Sequence, residues 1–386
     1  MRRAVIAVTA VFAGLLPLAG AAAPEPYTID VILPQTGVAA FLGRSIGTSL
    51  SVVEDAINKT GGINGRPVKF AIADDQSNPQ VAVQLVNGII AKKSAVMLGS
   101  SLSATCGAVA PLLKEGPVDF CMSPGIHPAE GSYVFSPAPS TVDLAQGTAH
   151  YMRYRGWKRV AFIFSTDSSG QDGERTIDQA FGMPENKDVA IVDREHFAVT
   201  DLSVAAQIAH IKAANVQALY VWSSGTASST VLRGAADAGL DLPVMTSYSN
   251  ATYEQMRAYK PFMPKELIFT GLPTMAPDQL PRGPLHDAVA AYVRAFQAAG
   301  IRPEVGQQTA WDAAMLAVSA LRKLGPDATA AQIREYLASL RGWTGVTGTF
   351  DFRAFPQRGV NWKSSVIDTR WDPAKDTWVG AGPLGL

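Results

Sequence analysis

Short apolar runs alternate with longer amphipathic stretches along most of this chain. The first apolar run, at 29–33, precedes a stretch in which apolar residues recur at helical spacing from 46 to 57, and Gly61-Gly62 then ends the helical pattern. A second apolar run follows at 68–73. A strand, a helix and another strand in this order predict one crossover unit of a parallel sheet.

The alternation continues through two series, which are separated by Pro137-Ala138-Pro139. Further strands are predicted at 95–98, 118–121, 159–164, 189–192, 218–222 and 243–246, and further helices at 104–114, 143–154, 174–181 and 202–213. The helix at 104–114 contains Pro111. The pattern therefore predicts an α/β protein with two doubly wound, Rossmann-like units.

The pattern changes after a predicted strand at 267–270. Helical stretches follow near 285–299, 308–324 and 330–340 without strands between them, and a short strand is predicted at 364–367. Because no strands alternate with these helices, we expect them to pack against a sheet that is formed by earlier strands.

The amino terminus is typical of a secretory signal peptide. Arg2-Arg3 precede an uncharged run at 4–18, and small residues follow at 19–23. The run is too short and too rich in alanine for a membrane span, which needs about 20 apolar residues. We therefore expect residues 1–23 to be removed by cleavage near Ala22 or Ala23, which leaves an exported, periplasmic protein; an uncleaved anchor is the alternative.

Charge and length narrow the function classes. The chain of 386 residues has 33 basic and 33 acidic side chains, and removal of Arg2 and Arg3 leaves 31 minus 33, a net charge of minus two. A nearly neutral surface makes nucleic acid an unfavourable partner. The length predicts about two domains.

The two cysteines, Cys106 and Cys121, lie close together in sequence. In an exported protein they can form a disulfide, which would stabilise the fold by about 3 kcal/mol through loop closure. Two buried free thiols are an equal alternative. A catalytic cysteine is disfavoured because no histidine motif accompanies either residue.

Polar turns rich in serine and glycine follow several of the predicted strands. They lie at 99–103, 123–125, 165–170 and 223–226, and each opens a helix. Serine and threonine there usually cap the helix, which is one reading of each turn. Exposed backbone amides and hydroxyls can also bind an anion or a carboxylate. Because all four turns follow strands, whose carboxyl ends can face one cleft, we favour a ligand site.

A search for catalytic motifs gives no enzyme signature. HExxH, the nucleophile elbow and the P-loop are missing from the sequence, and the GxGxxG match at 380–385 opens no helix. Asp74-Asp75 and Asp167 are acids in strand-end loops, which commonly accept backbone hydrogen bonds. We therefore predict no catalytic residue, no metal site and no cofactor. Trp222 directly precedes a cleft turn and is a candidate ligand contact.

Several motifs occur together with characteristic spacing. They are Leu-Pro-Gln-Thr-Gly at 33–37, Gly-Gly-Ile-Asn-Gly-Arg-Pro at 61–67, Asp74-Asp75, Asn78-Pro79, and Gly-Val-Thr-Gly at 345–348. With them the chain resembles the leucine-type periplasmic solute-binding proteins of ABC importers. This resemblance implies two lobes that are joined by a three-stranded hinge and close on a ligand. The expected first lobe comprises 24–140 plus 272–345, and the second comprises 141–271 plus 346–386.

The resemblance also implies ligand contacts. In the first lobe, the turns that match the family's carboxylate grip contain Ser100, Ser101, Ser103, Ser123, Gly125 and His127. Phe41 falls near a position where the family often has an aromatic wall. In the second lobe, Ser169 replaces an aromatic residue common among relatives, and Thr226 lies where amino-acid binders place an acid. Asn250 is a further candidate contact.

These differences from the family pattern indicate the chemical class of the ligand. A buried ammonium group needs a carboxylate partner, yet no acid occurs between Leu219 and Arg233, although Asp167 or Asp172 can substitute. We therefore predict a small carboxylate-bearing solute, with an organic or aromatic acid favoured and a branched-chain or other amino acid as the alternative. The predicted function is capture of this solute by a monomer and delivery to an inner-membrane ABC permease; the alternative is a periplasmic sensor of the same fold.

Overall fold

The computed structural model describes residues 24–304 and 306–382. The predicted signal peptide at 1–23 lies outside the described residues. None of the described helices is both long and apolar enough to cross a membrane.

The strands and helices are numbered in chain order. The strands are β1 (Tyr27–Leu33), β2 (Val68–Asp74), β3 (Val96–Gly99), β4 (Val118–Phe120), β5 (Val134–Phe135), β6 (Arg159–Ser165), β7 (Ala190–Phe197), β8 (Ala218–Trp222), β9 (Val244–Ser247), β10 (Leu267–Gly271), β11 (Arg341–Thr344), β12 (Thr349–Asp351), β13 (Ile367–Asp372) and β14 (Thr377–Gly380). The helices are α1 (Ala40–Lys59), α2 (Pro79–Ala91), α3 (Ser103–Val109), α4 (Thr141–Tyr154), α5 (Ser168–Phe181), α6 (Ala205–Ala213), α7 (Ala227–Asp237), α8 (Tyr253–Tyr259), α9 (Pro284–Ala298), α10 (Gln307–Leu324), α11 (Ala330–Ser339) and α12 (Trp362–Ser365).

Two sheets organise the fold. The first has five parallel strands in the order β2-β1-β3-β4-β5. The second has seven strands in the order β14-β13-β10-β9-β8-β6-β7, in which β13 pairs antiparallel with β10 and β14. The inner strands of the parallel parts are buried on both faces, as the apolar runs predict; all five residues of β8 are buried, whereas the edge strands β2 and β7 are partly exposed. The predicted α/β fold with two doubly wound units is confirmed.

The seven-stranded sheet packs in one hydrophobic core and the five-stranded sheet has a core on each face, and these cores define a second lobe and a first lobe, respectively. The chain passes from the first core to the second between Phe135 and Leu144, an interval that includes residue 140. It returns between Met275 and Leu280, slightly later than the expected residue 272, because Met275 still packs in the second core.

The last passage also lies later than the sequence suggests. Phe350, Phe352 and Val360 pack in the first core, whereas Val366 packs in the second. The chain therefore enters the second lobe after Val360 and not after residue 345, because β11 and β12 form a separate hairpin against the first core.

Two of the predicted elements that differ from the structure have a clear local cause. The helix expected at 104–114 ends at Val109 and continues only as a short 3-10 turn, since Pro111 cannot extend an α-helix. The strand expected at 364–367 is wrong, because the side chain of Asn361 accepts a hydrogen bond from the Ser364 amide and caps the short helix α12. The strand begins at Ile367 instead.

Asp312 is a fully buried acid on α10 of the first lobe. Its carboxylate accepts hydrogen bonds from the backbone amides of Val346 at 2.8 Å and Thr347 at 2.7 Å. Burial nevertheless raises the pKa of Asp312 to about 7. The native protein thus keeps a proton on Asp312 at pH values at which an exposed aspartate is ionised.

We expect the contribution of Asp312 to the free energy of unfolding to decrease as the pH rises from about 4 to about 7. The sign follows because the native pKa exceeds the unfolded one, so the native state binds more protons in this window. Urea denaturation of the wild type and of Asp312→Asn across the window measures the effect. The free energy of unfolding of the wild type minus that of Asp312→Asn should decrease with rising pH, since asparagine does not titrate; an increase of this signed difference would contradict the expectation.

Candidate functional site

A cavity of about 310 Å³ lies between the two lobes, and we call it the cleft. Its hydroxyl-bearing lining residues are Ser77, Ser101, Ser103, Ser123, Thr141, Ser168, Ser169, Ser224, Thr226, Ser247 and Ser249. The other lining residues are Val38, Ala39, Leu42, Leu102, Ala104, Pro124, Gly125, Leu144, Asp167, Val199, Trp222 and Ala227. Most of them follow the carboxyl ends of parallel strands, where doubly wound sheets bind ligands.

The turns after β3 and β4 form the first-lobe side of the cleft. Ser101 is only 7% exposed, and within the described residues its Oγ has no hydrogen-bond partner. Ser103 Oγ and Ser123 Oγ lie 2.9 Å apart, and Ser123 Oγ accepts a hydrogen bond from the Gly125 amide at 3.2 Å. This side therefore offers neutral hydroxyl groups, one of them with unsatisfied hydrogen-bonding capacity.

A disulfide joins Cys106 and Cys121. Cys106 lies on α3, just after Ser103, and Cys121 follows β4, just before Ser123. The bridge therefore ties together the two turns that carry the first-lobe hydroxyls. Of the two alternatives left by the sequence, the disulfide is the one that the structure contains.

Asp167 and Trp222 shape the second-lobe side. Asp167 caps α5, because its Oδ1 accepts hydrogen bonds from the Gly170 amide at 3.0 Å and from Ser165 Oγ at 2.7 Å. The indole of Trp222 packs against Gly173 of α5, where a Cβ atom would lie 2.2 Å from the ring. An aromatic face thus lies beside an acid on this side of the cleft.

The structure brings six of the ten candidate contacts to the cleft: Ser101, Ser103, Ser123, Gly125, Ser169 and Thr226. Ser100 instead donates a hydrogen bond to Asp75 Oδ2 at 2.6 Å, and both residues are buried. Asn250 is fully buried and shapes the turn after β8, since its Nδ2 donates to the Ser223 carbonyl at 2.8 Å. Both residues therefore support cleft turns from behind.

Phe41 and His127 also lie outside the cavity lining. Phe41 is buried in the first core, and its ring lies 3.4 Å from the place that a Cβ atom on Gly225 of the second lobe would take. His127 Nε2 lies 2.9 Å from Asp172 Oδ1, and Thr141 donates to the same carboxylate at 2.5 Å. His127 therefore joins the first lobe to α5 of the second lobe.

Asp172 is the acid between the lobes. Burial tends to raise its pKa, but hydrogen bonds from His127, Thr141 and Arg175 outweigh burial and lower it. A second pair between the lobes joins Arg44 and Glu254 at 2.9 Å. With these contacts the two lobes close around the cleft.

Several lining residues were missed in the sequence. Ser247 is the last residue of β9 and Ser249 follows it, and their position at the end of a buried strand is the same signal that identified the other turns. Val38 and Val199 carry no such signal, because single apolar residues in loops are common on protein surfaces. Among the described residues that line the cleft, Asp167 alone has a charged side chain.

Known proteins resemble this chain in sequence and in fold. A Leu/Ile/Val-binding protein homologue (homolog 3) of Brucella melitensis is 27% identical over 251 residues, which cover 63% of this chain and 67% of the relative. Across the curated relatives that it matches, the chain spans between 18% and 67% of their length.

Two solved structures extend the comparison over nearly the whole chain. An extracellular ligand-binding receptor from Rhodopseudomonas palustris has a TM-score of 0.80 and 21% identity, covering 93% of this chain and 100% of that one. A solute-binding protein of an ABC transporter from R. palustris, solved in complex with benzoate, has a TM-score of 0.74 and 19% identity, covering 92% of this chain and 96% of that one. At such identities the likeness shows the fold.

The family described as periplasmic binding protein matches residues 26–361, which include both sheets' parallel strands and the cleft turns. This range spans most of the chain, and the two-lobe architecture agrees with it. The chain therefore belongs to the periplasmic binding protein family.

Proposed function

We propose that this protein captures a small carboxylate-bearing solute in the cleft and delivers it to an ABC permease of the inner membrane. The observation that carries the proposal is the cluster of neutral hydroxyls around Ser101, whose buried Oγ has no partner among the described residues. A buried hydroxyl without a hydrogen bond is costly, and a ligand oxygen would supply the missing partner.

The names of similar proteins support the carboxylate. One relative is named for leucine, isoleucine and valine, and one structural neighbour holds benzoate. These ligands differ in their amino group and in their side chains, but all of them carry a carboxylate. The proposed solute class is therefore organic or aromatic acids together with amino acids, and the proposed location is the periplasm.

Thermal-shift screening of the purified protein tests the solute class. We expect at least one aromatic acid, aliphatic acid or amino acid to raise the melting temperature, and the methyl ester of the same compound to have little effect. Stabilisation by leucine, isoleucine or valine alone would exclude the organic acids. Stabilisation by esters as much as by acids would contradict recognition of the carboxylate.

Replacing Ser101 by alanine is expected to weaken binding of that acid about ten- to a hundred-fold, since a hydrogen bond to a charged group contributes about 1.5–3 kcal/mol. Isothermal titration calorimetry measures the change. Ser51→Ala is the matched control, because Ser51 is exposed on α1 and lies outside the cleft. Equal affinities of wild type and Ser101→Ala would indicate that the turn only supports α3.

Delivery is tested separately from capture. Membrane vesicles that contain the cognate permease should accumulate labelled solute only when the binding protein is added. Tight binding without any uptake would favour a sensor over a transport protein.

A further inference from the structure

The charges of the cleft do not match an anionic ligand. In the part of the chain that the structure describes, no lysine, arginine or histidine lines the cleft, and its single charged residue, Asp167, is negative. Hydroxyls and amides can hold a carboxylate, but the acid opposes it. A positive charge close behind the surface of the cleft would offset that acid and favour an anionic solute.

Arg358 is a buried arginine in the segment between β12 and α12, and it is only 8% exposed. Its Nη1 donates to Ser136 Oγ at 3.3 Å and to the Ala138 carbonyl, and its Nη2 donates to the Ile126 carbonyl. All of these acceptors are neutral. Within the described residues no carboxylate forms an ion pair with the guanidinium, which stays protonated in proteins.

The partners of Arg358 lead directly to the cleft. Ile126 is the neighbour of Gly125, which lines the cavity. Ser136 Oγ in turn donates to the carbonyl of Ser123, which lines it as well. The guanidinium therefore lies one residue, or one hydrogen-bonded side chain, behind the first-lobe turn that faces the solute.

The acids nearest to Arg358 are occupied by other partners. Asp143 and Asp172 both act on Arg358 through their charge. Asp143 accepts hydrogen bonds from the Trp362 amide and from Ser140 at the start of α4, and Asp172 binds Thr141, His127 and Arg175. They offset part of the positive charge but make no contact with it.

We propose that Arg358 is a specificity-determining residue, the buried positive charge that makes the cleft prefer carboxylates over neutral solutes of the same shape. The proposal rests on the proposed function. Opposite charges about 8 Å apart, at an effective dielectric constant of about 20, change an affinity about thirty-fold. Partial offset by the two acids leaves an expected effect of about tenfold.

The test compares each acid with its primary amide, which has nearly the same shape but lacks the negative charge of the carboxylate. Calorimetry with benzoate and benzamide, and with leucine and leucinamide, gives a ratio of dissociation constants for each protein. The wild type should bind at least one acid ten times or more tighter than its amide. Arg358→Gln should reduce that ratio about tenfold, and Arg358→Lys, which keeps the charge, should restore it.

A second pair of variants leaves the arginine in place. Ser136→Asp sets a carboxylate beside Nη1 and neutralises the guanidinium, whereas Ser136→Asn has the same shape without the charge. Ser136→Asp should reduce the ratio as Arg358→Gln does, and Ser136→Asn should retain it. These variants keep the test decisive if Arg358→Gln does not fold. The comparison uses the ratio, because a merely structural role would change both affinities together.

Two results would overturn the inference while leaving the proposed function intact: an unchanged ratio in Arg358→Gln, or equal ratios in Ser136→Asp and Ser136→Asn. If the wild type binds no acid of the thermal-shift screen at millimolar concentration, both the proposed function and the inference fail; if it binds an acid of the screen and its amide equally tightly, the inference alone fails. A lowered ratio in Arg358→Gln that Arg358→Lys restores supports both.

Discussion

Replacing Gly173 by alanine is expected to destabilise the second lobe by about 1–3 kcal/mol and to weaken solute binding, because the new methyl group overpacks the site. The added Cβ would lie 2.2 Å from the indole of Trp222, which is 3% exposed and stacks on Tyr220 at 5.4 Å. The ring has little room to retreat except toward the cleft. Thermal denaturation and calorimetric titration of the variant measure both effects.

Gly88 on α2 provides the matched control for this substitution. It is also a helical glycine, but nothing lies within 4 Å of the position that its Cβ would take. Gly88→Ala should therefore stabilise the protein by about 0.5–1 kcal/mol, since alanine favours the helix. Destabilisation of both variants to the same extent would show that contact with Trp222 is not the cause.

Replacing both cysteines by serine is expected to reduce the free energy of unfolding by about 3 kcal/mol and to weaken binding. The stability term follows from a loop of 15 residues that is closed in the wild type and open in the variant. The binding term follows because Cys106 and Cys121 adjoin the turns that carry Ser103 and Ser123. Urea denaturation gives the first quantity and titration with the bound acid gives the second.

The wild type kept under a strong reductant is the companion measurement for the double variant. If reduction succeeds, the two should agree in melting temperature and in affinity. If the double variant has the same melting temperature and the same affinity as the oxidised wild type, packing alone holds the two turns.

Local patterns predicted the strands and most helices well, because burial on both faces requires continuous apolar runs and a helix requires apolar residues at its own period. The errors arose where contacts of a single residue with its neighbours determine the secondary structure. Pro111 ended α3 early, and the side chain of Asn361 turned a predicted strand into α12. Strand β14 and the part of β13 beyond Ile367 were not predicted, since β13 pairs with β10, which is remote in sequence, and β14 pairs with β13.

The candidate site was likewise predictable only in part. The serine-rich turns were identifiable, because polar residues directly after buried strands have to lie at the carboxyl edge of a sheet. The sequence could not show which serine faces the cleft, because Ser100 and Ser101 have the same chemistry. Asp75 takes the hydroxyl of Ser100 and leaves that of Ser101 without a partner among the described residues.

By itself, the sequence determined that this chain has two doubly wound units with hydroxyl-rich turns at their strand ends, because backbone periodicity and helix capping are local properties. How the lobes meet depends on the packing of the whole chain. This packing placed His127 against Asp172, Asn250 behind the turn at Ser223, and Arg358 behind Ser123. The physical reason is that these contacts join residues far apart in the chain, and their geometry depends on how the two sheets pack and close.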